Sequence, residues 1–197
     1  MLVYEYHEGE VDTRNLNLTE PGLPFCYWVL PGRLLAGEYP GAKNAADPLP
    51  RLQALLNLGV DRFLDLTEAG EYGLPAYDTL ASELAMKSGR SIVYQRLPIH
   101  DVSVTSKGRM YEILDAIDEA LCGEHTVYLH CYAGIGRTGT TVGCDLVRHG
   151  MPAESALVHL ADWLHTTAKA GRPIPETPEQ ADFVRSWCEN NEKPRST

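Results

Sequence analysis

The 197-residue chain is poor in the features that mark several large protein classes. It has no Lys/Arg cluster of five or more, and its 27 Asp+Glu outnumber its 17 Lys+Arg, for a formal net charge of −10. Nucleic acid and anionic membranes favour basic surfaces, so neither is an expected partner. A small anionic substrate stays open, because a local site can be positive on a negative protein. No long apolar run appears. The stretch Phe25 to Leu30 is far short of the ~20 residues that span a bilayer. The segment Met1 to Glu10 has neither a basic start nor an apolar stretch, which argues against a signal peptide. The C-terminal residues, Lys193 to Thr197, carry no lipidation box. There is no internal repeat and no low-complexity linker.

The five cysteines, Cys26, Cys122, Cys131, Cys144 and Cys188, are odd in number and widely spaced, without a CxxC pair. That excludes a zinc ribbon or thioredoxin-type site and disfavours a disulfide framework. The seven histidines show no HExxH or paired-ligand pattern, so no metal and no other cofactor is expected. Reduced thiols in a cytoplasmic protein is the plain reading.

What is present is ordinary globular composition, with 44% hydrophobic and 22% charged residues. A chain of this length buries about 70% of the surface its unfolded form exposes, enough for one self-supporting domain. The expected organisation is a single domain over residues 1–197. It has a turn-rich recognition and hairpin segment to 45, a core over 46–190 and a short tail after it.

Helix and strand signals alternate along the core. Cys26–Leu30 and Arg33–Gly37 flank Pro31-Gly32 and read as a hairpin. Asp47-Pro48 caps a helix with Leu49, Leu52, Leu55 and Leu56 on one face, closed by Gly59. Val60 to Leu66 reads as a strand. Tyr77 to Ala85 reads as a helix ending at Gly89, and Ile92 to Leu97 as a strand. Met110, Ile113, Leu114, Ile117 and Leu121 give the clearest helical stripe. Thr126 to His130 is a strand, followed by helices over Thr138–His149, Pro152–Ala170 and Pro178–Glu189. Such alternation predicts an α/β fold with a mostly parallel sheet of about four to five strands covered by helices.

The chemistry sits in Val127-Tyr-Leu-His-Cys-Tyr-Ala-Gly-Ile-Gly-Arg-Thr-Gly139. An apolar strand ends at His130. The loop Tyr132, Ala133, Gly134, Ile135, Gly136 follows Cys131, and Arg137-Thr138 opens a helix. Backbone N–H groups in such a loop converge on one point, and the helix N-terminus adds positive potential, which makes a cradle for a phosphate dianion. Arg137 can clamp two phosphate oxygens. A cation is an odd choice at a helix start unless an anion binds there. Cys131 lies in the same field, which favours its thiolate as a nucleophile. Thr138 can donate a hydrogen bond to the sulfur and ease its departure.

His130-Cys131-x5-Arg137-Thr138-Gly139 resembles the H-C-x5-R-[ST] signature of cysteine-based protein tyrosine and dual-specificity phosphatases. The strand–loop–helix setting agrees. The long recognition motif of the large tyrosine-specific enzymes is not visible, so the chain resembles the compact dual-specificity type. The resemblance implies a general acid on a loop about thirty residues before the cysteine. Asp101, in Leu97-Pro-Ile-His-Asp-Val-Ser-Val104, stands 30 positions before Cys131. It would protonate the leaving oxygen and later deprotonate the attacking water. The family role implied for His130 is to orient the loop and tune the thiolate; a satisfied core histidine is the alternative. Gln180, in Pro175-Glu-Thr-Pro-Glu-Gln180, resembles a water-positioning glutamine but equally fits a capping box with Thr177.

The function expected is metal-free hydrolysis of phosphomonoesters through a phosphocysteine. The expected partner is a phosphorylated protein or peptide, acted on by a monomer. A phosphoinositide or other small phosphate ester is the alternative substrate, disfavoured by a loop without lysine. A rhodanese-like sulfurtransferase and a non-catalytic phosphate-binding module are the remaining readings. Tyr39, Tyr72 and Tyr132 are candidates to stack on a substrate ring.

Overall fold

A computed structural model describes residues 20–41 and 47–188. The expected features at 1–19, 42–46 and 189–197 lie outside these described residues. Five strands form one sheet: β1 (Cys26–Leu30), β2 (Leu34–Glu38), β3 (Arg62–Asp65), β4 (Val93–Arg96) and β5 (Val127–Cys131), in the order β1-β2-β5-β3-β4. β1 runs antiparallel to β2 at one edge; the pairings β2–β5, β5–β3 and β3–β4 are parallel. Among the described residues six α-helices cover the sheet: α1 (Leu49–Asn57), α2 (Asp78–Lys87), α3 (Lys107–Cys122), α4 (Gly136–Arg148), α5 (Ala153–His165) and α6 (Pro178–Arg185).

The α/β expectation with a mostly parallel sheet therefore holds. Both faces are covered, which is why β2 and β5 are buried at every position rather than at alternate ones. On β5, Val127, Leu129 and Cys131 face the layer of α3 to α6, while Tyr128 faces α1 and α2. The period-2 alternation puts Cys131 and its neighbour His130 on opposite faces.

Several boundaries differ from the sequence reading for local reasons. Leu49 is exposed rather than on the buried face of α1, which is built by Leu52, Leu55 and Leu56. The Asp47 carboxylate accepts from the Leu49 N–H at 3.0 Å, starting the helix at Leu49. α4 begins two residues early, at Gly136. α5 stops at His165 instead of continuing to Ala170. The Thr166 and Thr167 hydroxyls donate back to the Trp163 and Leu164 carbonyls, and the Ala168 N–H donates to Pro24 O at 2.8 Å, drawing the chain away from the helix axis. α6 ends at Arg185. The second strand of the hairpin, β2, lies beside β5 in register, with Glu38 opposite Cys131.

Among the described residues no helix is long and apolar enough to cross a membrane.

Candidate active site

The site forms at the carboxyl ends of β3, β4 and β5, where open α/β sheets characteristically bind ligands. Backbone hydrogen bonds continue past the strand ends. Leu66 N–H donates to His130 O at 2.8 Å, and Ile99 N–H donates to Leu66 O at 3.0 Å. These bonds gather the segments after the three strands around the loop that follows Cys131.

Cys131 is the last residue of β5 and is 2% exposed. The loop after it rests on the backbone of β2. Tyr39 N–H donates to Tyr132 O at 3.2 Å. Gly134 has φ +72°, and a Cβ there would lie 2.5 Å from the Gly37 carbonyl carbon and 2.6 Å from Glu38 N. Both the left-handed backbone and this close approach require glycine. A Cβ on Gly136 would lie 3.0 Å from both Gln180 amide atoms, so the start of α4 is pressed against α6.

Arg137, in the first turn of α4, is 1% exposed. Its two terminal nitrogens donate to both carboxylate oxygens of Glu71, each at 2.7 Å. One of them also donates to Ile99 O at 3.1 Å and Leu66 O at 3.3 Å. The other lies 2.7 Å from Asp101 Oδ1. Burial opposes the charge, but the hydrogen-bonded Glu71 and the nearby Asp101 hold the guanidinium well above the usual arginine range. Its Nε–H is buried and has no hydrogen-bond partner among the described residues.

Asp101 is thus placed beside Arg137, and its second oxygen accepts from the Tyr72 hydroxyl at 2.5 Å. Tyr72 sits in a single 3-10 turn, Glu71–Gly73, that the sequence patterns did not reveal. Glu71 was likewise missed. The signal available was an acidic residue between Gly70 and Gly73, just past the carboxyl end of a buried parallel strand.

Thr138 is buried in the same turn as Arg137, with its hydroxyl 3.5 Å from Gly37 O as donor. Gln180 forms the capping box with Thr177: Thr177 Oγ1 accepts from Gln180 N–H at 3.2 Å, and Gln180 Oε1 accepts from Thr177 N–H at 3.2 Å and Glu176 N–H at 3.1 Å. Its amide Nε2 donates to Ser103 O at 3.1 Å. The cap of α6 therefore also tethers the segment carrying Asp101.

His130 lies on the opposite face of the sheet. Its Nε2 is 2.6 Å from the Tyr77 hydroxyl and its Nδ1 is 3.3 Å from the Cys131 carbonyl. Asp65, fully buried one strand away, is 3.8 Å from Nδ1. Burial acts to raise the Asp65 carboxyl, but His130, Tyr94 and Thr67 outweigh it and hold it below the usual range. Of the three aromatic candidates, Tyr39 is withdrawn: it is 1% exposed, its hydroxyl bonds Pro75 O and its ring packs on Tyr77 and His130. Tyr72 and Tyr132 remain, with ring centroids 5.0 Å apart and the Tyr72 hydroxyl on Asp101.

Among the described residues no disulfide joins any of the five cysteines. Burial pushes the Cys26 thiol up to about 12 and Cys144 higher still, so both stay protonated and inert at neutral pH. One cluster escaped the sequence spacing. His149 Nε2 lies 3.2 Å from Asp118 Oδ1, and its Nδ1 lies 2.9 Å from the backbone carbonyl of Asp145 and 3.6 Å from that residue's carboxylate. With Arg148 bonded to Asp115 and Asp118, this is an ionic staple between α3 and α4.

Residues 36–151 match the family described as "Polymorphic toxin system, DSP-PTPase phosphatase" (Tc-R-P). The fold is similar to that of Tk-PTP in its active form (TM-score 0.59, 23% identity, over 82% of this chain and 94% of that one). It is also similar to PTPMT1 in complex with PI(5)P (TM-score 0.59, 18% identity, 79% and 90%). A third likeness is to the human tyrosine phosphatase-like serine/threonine/tyrosine-interacting protein (TM-score 0.59, 19% identity, 81% and 92%).

Proposed function

Because the chain belongs to the DSP-PTPase phosphatases of polymorphic toxin systems, a compact dual-specificity type within the cysteine-based tyrosine phosphatase superfamily, we propose that it hydrolyses phosphomonoesters through a phosphocysteine on Cys131, with phosphotyrosine in proteins or peptides as the preferred substrate. The observation that carries this is the Arg137 guanidinium. It is buried, held by Glu71, and keeps one donor, Nε–H, without a partner among the described residues. An orphaned buried donor costs about 1–3 kcal/mol, and a phosphate oxygen in the cradle would satisfy it.

In the first step the Cys131 thiolate attacks phosphorus. The P–S bond forms as the P–O bond breaks, and Asp101 gives its proton to the leaving oxygen. In the second, Asp101 takes a proton from water as the water oxygen attacks phosphorus and the thiolate departs. Arg137 and the N–H groups of residues 132–136 hold the phosphoryl oxygens while charge redistributes. His130, on the far face, would set the end of β5 rather than move a proton. Thr138 would steady the departing sulfur. Gln180 has its amide committed to Glu176, Thr177 and Ser103, which favours a structural tie over water positioning. Residues 20–188 would act as one catalytic unit.

Two features favour an aryl ester over a polyphosphorylated headgroup. The paired rings of Tyr72 and Tyr132 lie beside Asp101 and the loop after Cys131, and the loop 132–136 carries no lysine. The deciding assay is hydrolysis of phosphotyrosine and phosphothreonine peptides and of phosphoinositides, with Cys131→Ser as control. The expected result is fastest turnover of phosphotyrosine, abolished in the variant while phosphate binding persists. Phosphoinositide turnover above that of the peptides would overturn the substrate assignment, and turnover by the variant would overturn the mechanism.

A further inference from the structure

The turn bearing Tyr72 is unusual in its backbone. Tyr72 itself has φ 51°, and it is flanked by Gly70 at φ 73° and Gly73 at φ 70°. A bulky residue in the left-handed region is an outlier that persists where the surroundings over-determine it, and such outliers concentrate at functional sites. Here the turn is fixed from both sides. Glu71, the preceding residue, is clamped on Arg137, and Glu68 N–H donates to Glu71 Oε2 at 3.0 Å. Gly73 N–H closes on Gly70 O and Leu74 N–H on Glu71 O, each at 2.9 Å. The side chain presented this way is 67% exposed, so burial does not account for a tyrosine at this position. Its ring leans on Tyr132 and its hydroxyl donates to Asp101 Oδ2.

We propose that Tyr72 is a positioning residue for Asp101, holding the carboxyl by Oδ2 so that Oδ1 faces the phosphate cradle. This rests on the reading of Asp101 as the general acid. Asp101 is gripped at both oxygens, Oδ1 by Arg137 and Oδ2 by Tyr72. A bound phosphate competes for Arg137, and the Oδ1 grip weakens when the acid is needed. The Tyr72 bond reaches the other oxygen and survives that exchange. The proton then travels from Oδ1 to the leaving oxygen in the first step, and from water to Oδ1 in the second. Tyr72 keeps its own proton throughout. The hydrogen bond to Asp101, foremost, raises its phenol above the ordinary range, so it stays a donor across the neutral range.

The test is the leaving-group dependence of Tyr72→Phe, which keeps the ring and removes the hydroxyl. General-acid assistance contributes roughly 100-fold or more on poor leaving groups. Partial loss of its alignment should lower kcat/KM, which reports the transfer to Cys131 and not the later hydrolysis of the common phosphocysteine, by about tenfold on phenyl phosphate and by less than about twofold on p-nitrophenyl phosphate. A role confined to holding the turn would lower both alike. Equal loss on the two esters, or no loss on either, overturns the proposal. Asp101→Asn run in parallel separates the two levels. If that variant shows the leaving-group bias and Tyr72→Phe does not, only the role of Tyr72 falls. If Asp101→Asn shows no bias, the acid assignment falls and takes this proposal with it.

Discussion

Glu71 offers the sharpest quantitative test, because it was not among the residues that motif reasoning picked out. Its side chain is 6% exposed and meets an Arg137 side chain that is 1% exposed. Both guanidinium bonds are 2.7 Å long, short and parallel, the geometry of a strong bidentate pair. Glu71→Gln keeps one acceptor oxygen but turns an NH2 toward a guanidinium N–H and removes the countercharge. Hydrogen bonds to charged groups contribute about 1.5–3 kcal/mol, and breaking a buried ion pair costs about 3–5 kcal/mol in all. The guanidinium is not abandoned, since Asp101, Leu66 O and Ile99 O still hold it. It is redirected toward Asp101, away from the alignment a phosphate needs. If about 1.5–3 kcal/mol of the loss falls on the transition state, kcat/KM drops roughly 10- to 150-fold at 1.36 kcal/mol per decade. The assay is kcat/KM on p-nitrophenyl phosphate, with the inhibition constant of inorganic phosphate and the melting temperature measured on the same preparation. Unchanged kcat/KM and unchanged phosphate inhibition in a folded variant would refute the claim that Glu71 sets the arginine.

Further outcomes follow from other parts of the molecule. Gly134→Ala should lose activity and melt earlier, because its Cβ would sit 2.5 Å from the Gly37 backbone in a left-handed conformation; wild-type kinetics would show that the loop does not rest on β2 as described. His149 is buried between two carboxylates. Burial acts to lower it, but the bond to Asp118 and the charge of Asp145 outweigh that and raise it above the ordinary value. A raised folded-state value means its contribution is complete below the unfolded value of about 6.5 and fades as pH climbs through the folded one. The melting temperature should therefore decline from near neutral pH upward, and His149→Gln should flatten that decline; an identical slope in the variant would exclude the staple as its source.

The fold was largely readable because its helices and strands bury residues at the periods that define them. Met110, Ile113, Leu114 and Ile117 mark α3, and the Pro31-Gly32 pair marks the hairpin; both lie where patterning places them. Ends were less readable. Nothing local to α5 announces that Ala168 will bond Pro24 on the far side of the chain. In the candidate site, the Cys131-to-Arg137 segment is a local arrangement and so visible in a linear motif. Asp101 was reachable through spacing. Glu71 was not, and Tyr72 was picked out only as a ring for the substrate and not as a partner of Asp101, because their partners, Arg137 and Asp101, stand 66 and 29 positions away. Tyr39 misled for the complementary reason: a tyrosine just past a strand reads as accessible until β2 is known to be an inner strand.

The bond from Gln180 to Ser103 has a consequence for how the protein comes into being. During synthesis β5, the loop and α4 leave the ribosome well before α6. A growing chain thus carries the cradle of Cys131 and Arg137 while the segment around Asp101 still lacks its anchor. Only when Thr177 and Gln180 close their reciprocal cap is that anchor in place. A nascent chain, or one clipped ahead of α6, would keep the Arg137 and Tyr72 contacts to Asp101 but leave Ser103 untied, so the segment is fully fastened only once α6 has been made.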